Sequence, residues 1–250
     1  MSFPVSGKCC VCARVTSTRC SACGDAGIGI FFCSREHQKL VYFAHKKVCG
    51  ERANPFLWPD LSEEEAEEAG ETLDDNPDHS GLRFLSLRQE VGLRYPHLAG
   101  HGLPSLIRSL TSPSPAKNLS PALQQHLLLL VYNSQSRQHM KATLLSGDIY
   151  SFQSRSTPIH FAASAMSQFL NELGRPFPHD KSWYTELHHR VLIKSTLCFL
   201  NGARQGGTDR SELYVKTKML LYGFFDEVEQ TDPGVGRSFR ASQDKTHWVK

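Results

Sequence analysis

The sequence predicts a small N-terminal module, with little regular structure beyond one helix, followed by a mainly all-α domain. Three observations carry that reading. Seven of the eight cysteines lie within the first 49 residues, and only Cys198 lies beyond. Residues 1–50 are rich in Cys and Gly and lack a long periodic apolar pattern, whereas from Ser80 onward apolar residues recur at helical spacing. Alternating apolar–polar runs are scarce, and no hairpin dipeptide separates two of them.

The elements follow in chain order. Residues 51–59, with Pro55 and Pro59, read as an extended connector whose Phe56, Leu57 and Trp58 can dock on a neighbour. Ser62 with Glu65 is a capping-box pair, so the acidic run 63–73 should start as a helix and end between Gly70 and Asn76-Pro77. Leu82, Leu85, Val91 and Leu93 predict a helix to about Tyr95, stopped by Pro96. Ser112 to Pro115 reads as a loop, and Ser120-Pro121 as an N-cap with proline in the first turn. A long apolar helix carrying Leu123, Leu127, Leu130 and Val131 should follow, reaching toward Leu145. Further helices are expected near 158–173, 182–201 and 209–230, and no repeat at a solenoid period is present. The expected division is thus a module at 1–50, an acidic connector with a short helix at 51–79, and a helical domain at 80–250.

Composition narrows the class. With 40% hydrophobic and 21% charged residues, the chain can bury a core and is not wholly disordered. Its best uninterrupted apolar run, Leu127 to Tyr132, is far short of the ~20 residues that span a membrane. Met1 to Lys8 lacks the apolar stretch of a secretory signal, so an intracellular setting, nucleus or cytoplasm, is expected. Such a compartment keeps thiols reduced, and a dense cysteine cluster there points to metal before disulfides.

Charge comes in blocks. Lys8, Arg14, Arg19, Arg35, Lys39, Lys46 and Lys47 face only Asp25 and Glu36 within residues 1–50. Between Arg52 and Arg83 there is no Lys or Arg, yet ten acids run from Asp60 to Asp78, as on a solvated helix and loop. The formal net charge of +3 falls to about +1 if six thiolates take up two Zn²⁺, so global charge gives no reason to expect nucleic acid.

The candidate metal ligands are Cys9, Cys12, Cys20, Cys23, Cys33, His37, His45 and Cys49. Two Cys-x2-Cys knuckles open the series, each presenting two thiolates from one tight turn, as tetrahedral zinc requires. Cys33/His37 and His45/Cys49 are each four apart, a spacing that puts both members on one face of a helical turn. Eight ligands suffice for two closed, structural sites, although spacing does not say which pairs share an ion. A lone knuckle can be coincidence, but four pairs within 41 residues are not explained that way.

Residues 9–49 resemble the MYND zinc finger, most clearly in Phe32-Cys33-Ser34-Arg35-Glu36-His37-Gln38 and His45-Lys46-Lys47-Val48-Cys49. The resemblance covers about one sixth of the chain and every ligand position. It implies interleaved sites: Cys9, Cys12, Cys33 and His37 for one zinc, and Cys20, Cys23, His45 and Cys49 for the other. It also implies contacts with other proteins, including proline-containing peptides, through the helix bearing Gln38 and Tyr42. Two positions depart from the family pattern: His37 stands where Cys is usual, and Tyr42 where Trp is frequent. Cys10 fits the knuckle spacing less well than Cys9 and is read as a neighbour of the site.

No catalytic constellation is found. MYND fingers also occur within SET-type lysine methyltransferases, but there part of the catalytic domain precedes the finger; here eight residues precede Cys9, and no Asn is followed by His. A nucleic-acid-binding regulator is the third class, and it lacks the helix spacing of DNA-reading fingers. Gly24 to Gly29 reads as a knuckle-to-helix loop instead of a nucleotide loop. His126 and His188-His189 read as ordinary helix residues, and Trp183, Tyr184, Phe224 and Phe225 as core anchors. The sequence therefore predicts a zinc-binding interaction protein.

Overall fold

The computed structural model describes residues 5–76, 85–111, 119–146, 157–173 and 182–204, and a few positions between 219 and 234. Most of these are helical, and they fall into two compact units. The first joins Met1–Leu57 with Ala165–Lys250, and the second is Trp58–Ser164.

The first unit opens with β1 (Gly7–Lys8) and β2 (Val15–Thr16), paired antiparallel with Gly7 opposite Thr16. Gly7 lets Phe31 lie flat on this ribbon, since a Cβ there would sit 2.4 Å from the ring. The turn between the strands carries Cys9 and Cys12; the Cys9 N–H donates to the Arg14 carbonyl at 2.8 Å, and Ala13 takes φ 61°. Helix α1 (Ser21–Asp25) follows Cys20 and ends in Gly27, whose φ of 86° is the usual glycine exit. The glycine-rich stretch 24–29 is thus a helix end and a turn.

Helix α2 (Arg35–His45) is capped by Ser34, whose hydroxyl accepts from the His37 N–H at 3.3 Å. Its own N–H and the Ser34 hydroxyl hold the exposed Glu36 carboxyl below its usual range, as suits a first turn. Short 3₁₀ turns at Lys46–Val48 and Gly50–Arg52 carry the chain to Ala53.

The core of this unit is small. Cys20, Cys23, Ile28, Ile30, Phe32, Val41 and Ala53 are buried together with Ile193, and Leu197 packs at their edge. These last two belong to a helix from the far end of the chain, Ser182–Arg204. Phe56 stacks on His188 of the same helix, with ring centroids 4.4 Å apart, as the docking expected of the connector.

In the second unit, α3 (Glu63–Glu71) starts at the expected Ser62/Glu65 capping box. Helix α4 (Leu87–Arg94) uses a second box, Ser86 with Gln89, and ends before Pro96. The helix expected from near Ser80 starts instead at Leu87, because Ser86 caps it; Leu85 lies outside it, and both Leu85 and Leu93 are exposed, while the Ser112–Pro115 loop lies outside the described residues. Helix α5 (Leu103–Arg108) carries Leu103 and Ile107 into the interior.

Helix α6 (Pro121–Ser146) is the central element; Leu127 to Tyr132 is buried without a break, so no face of that stretch meets water. The next turn is polar and equally buried. Gln135 Nε2 donates to the Glu65 carbonyl at 2.7 Å, Arg137 pairs with Glu90 at 2.6 Å, and His139 with Glu68 at 2.8 Å. Those partners lie on α3 and α4, so the polar turn fixes how both helices seat.

Two further helices are α7 (Pro158–Leu173) and α8 (Ser182–Arg204), matching the expected 158–173 and extending 182–201 by one turn. Of the helix expected at 209–230, most lies outside the described residues. Among the described residues, no helix is long and apolar enough to cross a membrane.

Candidate metal centre

Each predicted ligand pair sits at one end of a short element. Cys9 and Cys12 lie on the β1–β2 turn; Cys20 and Cys23 flank the first turn of α1. The other pairs straddle the two ends of α2. Cys33 precedes its cap and His37 lies in its first turn; His45 is its last residue, and Cys49 follows the next 3₁₀ turn. The i, i+4 spacing thus marks helix ends, with the chain leaving the helix between His45 and Cys49. At 1.5 Å of rise per residue, His37 and His45 are about 12 Å apart along the axis. Helix α2 is a strut between two sites.

The eight side chains form two groups, Cys9, Cys12, Cys33 and His37, and Cys20, Cys23, His45 and Cys49, with all donor atoms in each within 4.8 Å of one another. In the second group, Cys20 Sγ is 3.5 Å from Cys49 Sγ and Cys23 Sγ is 3.7 Å from it. His45 Nε2 lies 3.5 Å from both Cys20 and Cys23 Sγ. In the first, Cys12 and Cys33 Sγ are 3.5 Å apart, and His37 Nδ1 is 3.5 Å from Cys9 and 3.2 Å from Cys33.

These distances can be tested against an ion. Zinc with Zn–S of about 2.3 Å and Zn–N of about 2.0–2.1 Å makes tetrahedral edges of roughly 3.8 Å for S···S and 3.5 Å for S···N. The His45 distances of 3.5 Å and the Cys23–Cys49 distance of 3.7 Å fit these figures closely, whereas Cys20–Cys49 and Cys12–Cys33, both 3.5 Å, and His37–Cys33, 3.2 Å, are somewhat shorter. The donors fit the ion in size, number and softness: three thiolates and one imidazole make a closed Cys₃His set.

The electrostatics point the same way. Burial opposes ionisation of Cys9, but backbone N–H groups of Cys12, Cys33 and Val11 and the His37 ring outweigh it and bring the thiol down to about 6. Its neighbour Cys33, bonded to Cys12 and beside Cys9, is pushed up to about 11. In the second group, Cys20 falls to about 3 because Cys23 bonds to it, while the same bond and burial drive Cys23 far upward. Burial and the Cys20 charge raise Cys49 as well. Thiols this close compete for one negative charge, and a divalent cation is what allows all three to ionise together.

Cys10 belongs to neither group. It packs at the edge of the small core, and burial pushes its thiol up to about 11, the behaviour of an apolar filler. His188 and His189 belong to neither metal group, as expected, but both are buried, with His189 beside His45. His189 Nε2 donates to the Ala53 carbonyl at 2.9 Å, and burial drives its pKa down to about 4. A histidine pair in an apolar helix carries no signal of its own, and only the fold places it beside His45.

No protein-family model, curated protein or solved structure matches this chain. On geometry alone, two Cys₃His clusters could hold two metal ions, and zinc is the ion that this donor set favours.

Proposed function

We propose that the chain is a non-catalytic, intracellular zinc-binding protein whose residues 9–49 act as a MYND-type finger in protein–protein contacts. The observation that carries this reading is the interleaving of the clusters: the first and third ligand pairs converge, as do the second and fourth. That is the arrangement the resemblance implies, and it arises here with His37 in place of the usual Cys. Four protein donors per ion leave no open position for substrate or water, which suits a structural role.

The outer face of α2 supports the binding half of the proposal. Tyr42 is 50% exposed and Phe43 46%, and the exposed Arg35, Lys39, Lys46 and Lys47 surround them. An aromatic pair held in water on a rigid helix is an anchor for a partner, and a proline ring fits against Tyr42. Titrating the zinc-loaded chain with a proline-rich peptide, followed by amide spectra, tests this. The expected shifts centre on Gln38 and Tyr42 and vanish in Tyr42→Ala. Absence of any shift at millimolar peptide would remove proline-containing peptides as the partner. Saturable binding of S-adenosylmethionine would instead favour a methyltransferase.

A further inference from the structure

His45 is satisfied on one side only. Its Nε2 faces the Cys20 and Cys23 sulfurs at 3.5 Å, so Nε2 is the nitrogen that would bind the ion. The ring proton then resides on Nδ1, which becomes a hydrogen-bond donor. That nitrogen is buried and has no partner among the described residues. Phe32 packs against the ring in a T-shaped contact, with centroids 6.0 Å apart, and carries no lone-pair acceptor.

His189 on α8 presents the complement. Its Nε2 lies 2.9 Å from the Ala53 carbonyl, an acceptor only, so the His189 proton is on Nε2 and Nδ1 holds a lone pair. Nδ1 is likewise buried and has no partner among the described residues. The two rings stand edge to face with centroids 6.1 Å apart. One buried donor and one buried acceptor, each without a partner among the described residues, thus sit on adjacent rings, and one water shared between them would satisfy both. The Ala53 end matters too, because the Ala53 N–H closes a turn on the Gly50 carbonyl at 3.0 Å, immediately after Cys49.

We propose that His189 is a positioning residue for the second metal ion. Its Nε2–H pins the turn that follows Cys49, and its Nδ1 accepts the His45 Nδ1 proton through one ordered water. Both ligands of the closing His45/Cys49 pair are thereby held from α8, about 140 residues away in sequence. The inference rests on the zinc reading above.

The test uses the full-length zinc-loaded chain, a chromogenic chelator to follow release of each ion, and long-range imidazole ¹⁵N spectra. His37 and His45 signals assign which ion leaves. His189→Gln keeps an amide N–H for the Ala53 carbonyl but lacks an acceptor at the Nδ1 position. It should release the His45-bound ion on the order of tenfold faster, leave the His37-bound ion unchanged, and shift the His45 Nδ1–H signal. His189→Asn, whose short amide reaches the Nδ1 position, should restore that signal toward wild type and stands in if the Gln variant fails to fold. Equal acceleration of both ions, or a His45 Nδ1–H signal indifferent to both substitutions, overturns the proposal. Fewer than two zinc ions in the wild type would refute the zinc reading itself, a separate and distinguishable result.

Discussion

The two metal clusters share one donor set and differ in what surrounds them. The first lies at the surface: Cys12 is exposed, Cys33 and His37 are half-buried, and only Cys9 is covered. In the second, Cys20, Cys23 and His45 are all buried, and the core beneath them is completed by Ile193 from α8. The same chemistry therefore does two jobs. At the first site an ion would clip the β1–β2 turn to the start of α2. At the second it would sit against a small core that includes Ile193 from a distant helix.

The largest expected effect follows from that difference. Structural zinc in small modules supplies on the order of 10 kcal/mol. Cys23→Ala should lose one ion and unfold the module around the second site. Cys12→Ala should also lose one ion yet leave Ile28, Ile30, Val41 and Ile193 protected from hydrogen exchange. Equal loss of protection in the two variants would erase the distinction between the sites.

Chelation of the wild type sharpens the comparison from the other side. Amides of α8 from Leu187 to Leu197 should exchange faster once zinc is withdrawn, because Ile193 and Leu197 pack on the module. Those of α6 from Leu127 to Gln135 should not, since the second unit is held by apolar burial and by pairs such as Arg137–Glu90. Protection unchanged in α8 would mean that its contact with the module contributes little.

Next in size is the core contact itself. Ile193→Ala removes a buried side chain at that seam and should cost about 2–5 kcal/mol, read as a lower thermal midpoint for zinc-loaded protein. A comparable truncation at the first site has no such seam to open. Tyr42→Ala, on the exposed face of α2, should change stability by no more than about 0.5 kcal/mol while abolishing peptide binding. Smallest is Ala13→Gly in the first knuckle. Ala13 sits at φ 61°, a region that costs a side-chain-bearing residue about 1–2 kcal/mol, partly offset by the extra freedom of glycine when unfolded. A net change within about 1 kcal/mol, with both ions retained, is expected.

The contrast between the clusters was only half legible in the sequence. The candidate ligands were readable because Cys-x2-Cys and the i, i+4 pairs are local, and local geometry brings together the two donors of each pair. The Ser62/Glu65 box and the Ser120-Pro121 start were readable for the same reason, and both helices begin there. The environment of the ligands was not readable. Nothing in Ser182–Arg204 marks Ile193, or the His188-His189 pair, as facing a zinc site about 140 residues earlier. An apolar helical stripe says that a face is buried without saying against what. The polar turn Asn133–Arg137 was equally opaque, since a buried charge is recognisable only once Glu90 is seen opposite it.

The central claim is that eight named side chains hold two ions in two interleaved Cys₃His sites. Elemental analysis of reduced protein, combined with cobalt substitution, tests it most directly. Two zinc ions per chain are expected, together with a thiolate-to-cobalt charge-transfer band that reports three sulfurs per site. Cys12→Ala and Cys33→Ala should deplete the same ion, and Cys20→Ala the other. One ion or none in the wild type, or Cys12 and Cys20 variants that deplete the same ion, would contradict the account.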